Sequence, residues 1–340
     1  MSCGGGITNS YESLTDNWTL LGLEDEDVAA IAVSKQDRNL IFAGSEINFN
    51  NDTRGKLFRS RNSGADWDTL LYGVIVTDIK FDINNSNVIY VSLYGSSTTP
   101  LGIIKSTDGG ATWATKVEGL PPLNGFRLVF QLAIDPSNPH IIYACIGGFN
   151  GRSLYKSTNG GDSWVEISRK VPDASSTSVE IDPSNPNIIY LGTMGIGGVS
   201  KSIDAGYNWE KTSLWEVGGI SDIAIDPNDH SRLVVSGNLH GSATFISADG
   251  GVTWNLLGDS LTGASIVIDE AHSNIYTGSG FGIFKYDEGL HNWVEFNEGL
   301  NEGLDNTLTR VRALEYIGSL EIMLAGTGKG IYGRKLNVNE

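Results

Sequence analysis

One eight-residue pattern recurs five times along the chain and limits the folds that the chain can adopt. Each copy reads Ser-x-Asp/Asn-x-Gly-x-[Thr/Ser/Asn/Asp]-Trp. The copies end at Trp67, Trp113, Trp164, Trp209 and Trp254. Successive tryptophans are therefore 46, 51, 45 and 45 residues apart. A fixed period of this length indicates a propeller or another repeat array.

Each copy has the chemistry of a tight turn followed by a packed aromatic ring. The third residue offers a side-chain oxygen that can accept backbone N–H bonds within the turn. It is Asn62, Asp108, Asn159, Asp204 or Asp249. The glycine can adopt a positive φ without steric cost, and the tryptophan can bury a large apolar surface between neighbouring sheets. The sequence therefore predicts that these five acids and amides are structural residues.

Strand-like segments surround each copy. An alternating apolar segment, such as residues 132–135, ends in a turn rich in Pro and Asn. A fully apolar segment, such as residues 188–191, follows it. A third segment leads into the repeated turn, and a fourth follows the tryptophan. Each period thus supplies four strands, which is the content of one propeller blade.

The number of periods predicts seven blades. Five periods carry the full pattern, a sixth over residues 265–297 keeps Trp293, and the last, over residues 312–335, supplies only three strands. We expect the missing strand at the N-terminus, beside Trp18, because it would close the ring and remove exposed sheet edges. The predicted fold is all-β, a single seven-bladed β-propeller in which an N-terminal strand closes the last blade. The propeller is expected over residues 16–335, a flexible N-terminal tail over residues 1–15 and a C-terminal tail over residues 336–340.

Composition excludes several functional classes. The net charge of −17 repels phosphate groups, so nucleic acids and anionic membranes are disfavoured as partners. No apolar run is long enough to span a membrane. The five histidines are not at metal-ligand spacing, and the Gly-Gly pairs lead into strands rather than helices. We therefore expect neither a metal site nor a cofactor.

Cys3 precedes three glycines in Met-Ser-Cys-Gly-Gly-Gly. This segment resembles the start of a bacterial lipoprotein, in which a lipidated cysteine is followed by a tether of small residues. The apolar segment that would come before such a cysteine is absent from the sequence. A lipid anchor at Cys3 and an ordinary flexible tail are both open.

The repeats resemble those of the bacterial neuraminidase repeat, or Asp-box, superfamily of β-propellers, from residue 16 to about residue 335. The Asp-Pro-Ser-Asn-Pro-x-Ile-Ile-Tyr segment that ends at Tyr190 and the Lys-Ser-Thr-Asn-Gly-Gly-x-x-Trp segment that ends at Trp164 most resemble the xyloglucanase-like and sortilin-like branch. Sialidases, sortilin-type receptors, xyloglucan-degrading glycoside hydrolases and photosystem II assembly factors carry such repeats. The resemblance therefore implies a fold and leaves the activity open.

Two catalytic arrangements follow from this resemblance. Sialidases share an Arg-Ile-Pro-type motif and three arginines for the substrate carboxylate, and no Arg-x-Pro triplet occurs here. Xyloglucanases place one catalytic Asp at the end of an early strand and its partner in a second propeller; the local match in this chain is Glu46. Glycoside hydrolysis needs two carboxyl groups roughly 5–10 Å apart. The sequence assigns no partner to Glu46.

The resemblance to sialidases also implies which end of the propeller is functional. In sialidases the Asp-box turns lie on the face opposite the active site. The loops between second and third strands, and those between blades, are then expected on the functional face. Trp215 has no place in the repeat and is expected in a loop between the fourth and fifth blades, as an aromatic platform or as a cover for the seam. Phe149, Phe281, Arg127 and Arg152 are the other ligand-binding candidates.

The sequence favours an extracytoplasmic, non-catalytic binding or scaffold propeller whose partner is a neutral glycan or a protein. Two alternatives are open. One is a glycoside hydrolase, xyloglucanase-like or otherwise glycan-active, that uses loop carboxylates such as Glu46. The other is an assembly factor that docks a protein partner. A pair of carboxylates in a central cleft would favour the hydrolase, and an aromatic shelf without such a pair would favour the binding protein.

Overall fold

A computed structural model describes most of the chain. The described residues are 10–46, 55–96, 102–121, 126–148, 151–168, 171, 176–195, 197–215, 218–238, 243–261, 263–300 and 309–336. They contain 28 β-strands and no α-helix. Short 3-10 turns occur at Tyr11–Ser13 and Gly318–Leu320.

The strands form seven four-stranded antiparallel units, which we number as blades in chain order. Blade 1 comprises β2 (Val28–Val33), β3 (Ile41–Ser45), β4 (Lys56–Ser60) and β5 (Asp68–Tyr72). Blade 2 comprises β6 (Ile75–Asp82), β7 (Asn85–Ser96), β8 (Ile103–Ser106) and β9 (Ala114–Thr115). Blade 3 comprises β10 (Phe126–Ile134), β11 (Ile142–Gly148), β12 (Gly151–Ser157) and β13 (Val165–Glu166). Blade 4 comprises β14 (Ser176–Ile181), β15 (Ile189–Thr193), β16 (Gly198–Ser202) and β17 (Glu210–Trp215).

The remaining blades follow the same order, except for the last. Blade 5 comprises β18 (Gly219–Ile225), β19 (Leu233–Asn238), β20 (Ala243–Ser247) and β21 (Asn255–Leu256). Blade 6 comprises β22 (Gly263–Ile268), β23 (Ile275–Ser279), β24 (Gly282–Asp287) and β25 (Asn292–Glu295). Blade 7 comprises β26 (Val311–Ile317), β27 (Ile322–Thr327), β28 (Gly330–Lys335) and the N-terminal β1 (Thr19–Gly22). Blades 2 and 3 share one sheet because β7 also pairs with β10.

The first strands of the blades follow one another around a closed ring. β2, β6, β10, β14, β18, β22 and β26 each contact the next, and β26 contacts β2. β1 pairs with β28, where Leu20 lies opposite Tyr332. The predicted all-β propeller, closed by an N-terminal strand, is confirmed.

Trp18 occupies the place of a repeat tryptophan in blade 7. Its backbone N–H donates to the carbonyl oxygen of Glu298 at 2.8 Å, as that of Trp164 does to Glu118 at 2.9 Å. Its indole N–H donates to the carbonyl oxygen of Phe296 at 2.7 Å, and the side chain is 2% exposed. The seam between blades 6 and 7 is therefore packed like the others, although two distant chain segments form blade 7.

Packing begins N-terminal of residue 16, within the segment expected to be a flexible tail. Tyr11 and Leu14 are buried in the core shared by blades 7 and 1. Gly333 leaves the space for this contact, because a Cβ there would lie 2.9 Å from the Cδ1 atom of Leu14. Residues 10–15 therefore belong to the packed structure, which corrects the expected boundary. Cys3 lies outside the described residues.

Each of three seams is also closed by two donors that share one carbonyl oxygen. The hydroxyl of Tyr90 and the ammonium of Lys105, both in blade 2, donate to the carbonyl oxygen of Gly160 in blade 3, at 3.0 and 2.9 Å. The seams after blades 3 and 4 repeat this arrangement at the carbonyl oxygens of Ala205 and Gly250. The acceptor belongs to the repeated turn of the following blade, so the turns connect blades as well as strands.

Candidate functional site

The repeated turns share one hydrogen-bond pattern. In blade 2 the Oδ1 atom of Asp108 accepts hydrogen bonds from the backbone N–H groups of Ala111 and Thr112, at 3.0 and 2.9 Å. The hydrogen bond from the Thr112 hydroxyl is the largest of the contacts that lower the pKa of Asp108 to about 2. Asn62, Asn159, Asp204 and Asp249 accept backbone N–H bonds in the same way. The structure places all five residues in turns of the expected geometry.

The serine that opens each copy carries a part of the turn that sequence reasoning missed. The hydroxyl of Ser106 donates to Asp108 at 2.8 Å and accepts the backbone N–H of Gly110 at 2.8 Å, and the residue is 1% exposed. The serines of the other four copies make the same bond to the glycine. The signal was present in the sequence, because all five copies begin with serine.

The repeated turns and the candidate ligand-binding residues lie at opposite ends of the propeller. The turns contact the loops between first and second strands, since the N–H of Gly160 donates to the carbonyl oxygen of His140 at 2.9 Å. The hairpins between second and third strands therefore lie at the other end, which we call the hairpin face. Glu46, Trp215 and Phe281 are on the hairpin face.

Glu46 follows β3 directly and is bound by Arg312. The Nη1 atom of Arg312 donates to Oε2 of Glu46 at 2.6 Å, and its Nη2 atom donates to Oδ2 of Asp27 at 2.9 Å. Beside them, the ammonium of Lys56 pairs with Glu26. Arg312 reaches this position from a β-bulge in β26, at the end of the central channel. One guanidinium therefore bridges two carboxylates at this end of the channel.

Trp215 is the last residue of β17 and not a loop residue, which corrects its expected place. Its backbone lies opposite Gly198 in the β16–β17 pair, and the side chain is half-buried. The ammonium of Lys211 lies 4.1 Å from the centroid of the ring. Phe281 is 63% exposed at the β23–β24 hairpin of blade 6. Because blades 4 and 6 are not neighbours, the two rings do not form one platform.

The other predicted residues are only partly described. Arg127 lies in β10 opposite Gly148, and Arg152 lies in β12 opposite Gly147. Both arginines therefore flank β11 near the hairpin face. Phe149 lies outside the described residues.

The central channel is lined by the seven innermost strands, and in four of them an equivalent side chain links the strand to the next blade. In most of these strands the residue after a β-bulge accepts a backbone N–H of the next blade. The Oδ2 atom of Asp78 accepts the N–H of Leu132, and the Oε1 atom of Gln131 accepts that of Val179, both at 2.8 Å. Equivalent bonds are made by Asp222 and Ser265. These polar residues hold blades together around the axis.

A second layer of the channel carries charged side chains that sequence reasoning missed. Two residues further along three of the same strands are Lys80, Glu180 and Glu315. The other four blades have Ala32, Ala133, Ala224 and Val267 at this position. The small residues leave space, and open cavities of about 480 Å³ and 430 Å³ both include the three charged residues in their walls.

Burial dominates the electrostatics of the channel. It raises the pKa of Glu180 to about 7 and that of Asp222 to about 6. Burial also raises the pKa values of Asp78 and Glu315. Burial by itself would lower the pKa of Lys80. The surrounding carboxylates more than offset this and raise the pKa, above all Asp78, whose Oδ1 atom lies 3.4 Å from the ammonium. The carboxyl groups of the channel therefore hold protons at a pH at which exposed carboxyl groups have lost them.

Neither a metal-binding cluster nor a spanning helix is found in the part of the chain that the structure describes. No group of three or more His, Cys, Asp or Glu side chains there could hold a metal ion. None of the helical segments in the same residues has the length and apolarity that crossing a bilayer requires.

Sequence comparison gives one relative that covers part of the chain. No protein-family model matches. A xyloglucanase from Hypocrea jecorina (strain QM6a) is 29% identical over 194 residues, which are 52% of this chain and 19% of the xyloglucanase. The chain thus spans about a fifth of the length of that relative.

Solved structures with the same fold belong to proteins of different functions. A GH74 enzyme from Niastella koreensis matches with a TM-score of 0.65 and 20% identity, over 88% of this chain and 50% of the enzyme. YCF48 from Cyanidioschyzon merolae matches with a TM-score of 0.68 and 15% identity, over 94% and 98% of the two chains. YCF48 bound to a D1 peptide matches with a TM-score of 0.64 and 13% identity, over 96% and 100%. At these identities the similarity shows a β-propeller shared with glycoside hydrolases and with a peptide-binding protein.

Proposed function

We propose that the chain is a non-catalytic binding propeller outside the cytoplasm, which takes a protein partner on its hairpin face. The observation that carries this proposal is the arginine bridge, in which Arg312 binds Glu46 and Asp27 at 2.6 and 2.9 Å. A glycoside hydrolase needs one carboxyl group that delivers a proton and a second that acts as base or nucleophile. Two carboxylates that share one charge-assisted partner instead fix the shape of the channel mouth.

Charge and structural similarity favour a protein partner. The net charge of −17 repels anionic ligands such as sialosides and phosphates. The match covers 98% of the YCF48 chain, and a second matching structure is YCF48 bound to a D1 peptide. By contrast, the chain matches only half of the GH74 enzyme. A neutral glycan is the second ligand class within the same proposal, and Trp215 and Phe281 are its expected aromatic contacts.

The same proposal includes the repeat family and the location of the protein. We assign the five turns to Asp-box repeats, since their acids and amides accept N–H bonds within the turn. The Cys-Gly-Gly-Gly segment at Cys3 supports an extracytoplasmic protein that is held by a lipid anchor. Incorporation of labelled palmitate that Cys3→Ser abolishes would establish the anchor.

A glycoside hydrolase is the second candidate function. It is favoured by the 29% identity to a xyloglucanase over 194 residues. In that function Glu46 would have to leave Arg312 and work with a second carboxylate on a bound substrate. This requirement makes the hydrolase directly testable with one substitution.

Two measurements on the same protein distinguish these functions. We expect no release of reducing ends from xyloglucan, and we expect retention on an array of peptides of graded charge. The retention should weaken in high salt and in a Trp215→Ala variant, and it should be unchanged in Glu295→Gln on the outermost strand of blade 6. Hydrolysis that Glu46→Gln abolishes would establish the enzyme and overturn the proposal. Retention on neither a peptide array nor a glycan array would also overturn it.

A further inference from the structure

The second layer of the channel contains one carboxyl group that accepts no hydrogen bond from the described part of the chain. Asp78 and Asp222 accept backbone N–H bonds from the following blades at 2.8 Å. Glu315 accepts the N–H of Val33 at 3.4 Å. The carboxyl group of Glu180 accepts no hydrogen bond and forms no ion pair with any described residue.

The position of Glu180 is unusual because the group lies deep in the molecule, half-buried in the wall of the open channel. A buried carboxylate without a hydrogen bond is costly, and proteins normally supply a partner or keep the group protonated. Lys80 is the nearest source of positive charge, but it lies 3.4 Å from Asp78 and makes no ion pair with Glu180. Glu180 is therefore a carboxyl group on which the charges of Lys80 and Lys35 act without an ion pair to either.

Charge balance in the channel points in the same direction. Five carboxyl groups line its cavities, and three cations oppose them; the acids are Asp78, Asp82, Glu180, Asp222 and Glu315, and the cations are Lys35, Lys80 and Arg312. When all are ionised, the channel keeps an excess of negative charge. A low-dielectric channel strengthens the attraction of such an excess for a cation.

The shape of the adjoining cavity indicates what kind of cation fits. The cavity of about 480 Å³ on the side of the first-to-second strand loops has Glu180 in its wall. Part of the remaining wall is apolar, and the apolar side chains that are accessible there include Pro136, Pro183 and Pro227. An aliphatic chain that ends in a positive group matches both parts, because the stem contacts the apolar wall and the head reaches the carboxylate.

We infer that the central channel binds an alkylguanidinium or alkylammonium group, with its charged head on Glu180. The head can form charge-assisted hydrogen bonds to the unpartnered carboxylate, and a guanidinium can do so through two parallel N–H groups. The ligand is either a small free cation or an arginine or lysine side chain from a partner. Only the second source rests on the proposed function.

The probes that test this inference differ in charge and not in shape. Isothermal titration of the full chain at neutral pH would use n-butylguanidinium, n-butylammonium and the uncharged n-butylurea. We expect one or both cations to bind and the urea not to bind. Titrations in two buffers of different ionisation enthalpy should show proton release, because a bound cation favours the ionised form of Glu180. Equal binding of the urea, or no binding by any probe or by the peptides described next, would overturn the inference.

Two variants and one peptide pair complete the test. Glu180→Gln keeps the size of the side chain and should weaken binding at least ~10-fold and abolish proton release. Glu295→Gln, the same change on an exposed strand, should bind like the wild type. A blocked tripeptide with a central arginine, compared with its citrulline analogue, separates a partner side chain from a free cation. Binding that Glu180→Gln leaves unchanged would overturn the inference. If the chain bound the cations but no protein partner, this inference would stand and the proposed function would fail.

Discussion

The indole N–H of Trp18 donates to the carbonyl oxygen of Phe296 across a sequence separation of 278 residues, at 2.7 Å. The two rings also meet edge to face, with centroids 6.3 Å apart. The ring closes within blade 7, where the N-terminal β1 pairs with β28 near the other end of the chain. Trp18 precedes β1, so its contact with Phe296 attaches the closing strand to blade 6.

Trp18→Ala should strongly destabilise the propeller. The residue is 2% exposed, and the loss of a buried tryptophan costs about 3–5 kcal/mol. Trp18→Phe should cost less, because it keeps most of the packing and loses only the bond to Phe296. Urea denaturation followed by tryptophan fluorescence measures both changes. If Trp18→Ala unfolded at the same urea concentration as the wild type, β1 would not be the strand that closes the ring.

The serine of the repeated turn should matter more than the charge of its acid. Ser106→Ala removes a buried hydroxyl that makes hydrogen bonds to Asp108 and Gly110, and we expect a loss of about 1–3 kcal/mol. Asp108→Asn should leave the unfolding midpoint nearly unchanged, because Asn62 and Asn159 already occupy this position in two other turns. Chemical denaturation of both variants provides the comparison. A larger loss for Asp108→Asn than for Ser106→Ala would contradict this assignment.

The fold could be predicted because its determinants are local and repeated. An acid or amide, a glycine and a tryptophan at fixed spacing specify a turn and a packed ring wherever they occur. The closing strand could also be predicted, because Asp16-Asn17-Trp18 looks like the end of a repeated turn although no strand precedes it. The buried position of Leu14 was not visible, because it depends on the space that Gly333 leaves on a distant strand.

The candidate site could be predicted only in part, for a physical reason. Alternation in Val179-Glu180-Ile181 shows that Glu180 is on the opposite face from its apolar neighbours, and such a face usually meets solvent. In the innermost strand of a propeller the same face meets the channel. Likewise, Glu46 and Arg312 are 266 residues apart, so only ring closure brings them together. Charges that converge on an axis cannot be recognised from spacing along the chain.

At each seam where a tyrosine and a lysine share one carbonyl oxygen, the tyrosine hydroxyl should contribute to stability. Tyr143 donates to the carbonyl oxygen of Ala205 at 2.9 Å, beside a second donor from Lys156 at 2.9 Å. Tyr143→Phe should cost about 1 kcal/mol, because the lysine still serves the buried carbonyl. Blade 1 supports such a small cost, because it has a phenylalanine, Phe42, at the position equivalent to Tyr143. Thermal and urea unfolding measure the change. No loss in Tyr143→Phe beside a large loss in Tyr143→Ala would instead assign the residue's role to packing alone.

Glu180 should make the stability of the propeller fall as the pH rises. Burial raises the pKa of this group to about 7 in the folded chain, from an ordinary value of 4.5. The folded state therefore binds its proton more tightly than the unfolded state does. Below about pH 4.5 the group is protonated in both states and has no effect on the difference. Between about pH 4.5 and 7 the unfolded chain releases the proton first, so stability declines; above about pH 7 the full loss remains.

The size of this effect can be isolated with one substitution. A shift from 4.5 to about 7 corresponds to roughly 3 kcal/mol, as an order of magnitude. Glu180→Gln should therefore be more stable than the wild type at about pH 8, and the advantage should largely disappear at about pH 4.5. Glu295→Gln should show no such pH-dependent difference. Urea unfolding of the three proteins across this range measures the free energies. An advantage of Glu180→Gln that did not change with pH would mean that Glu180 ionises in the channel as it does in water.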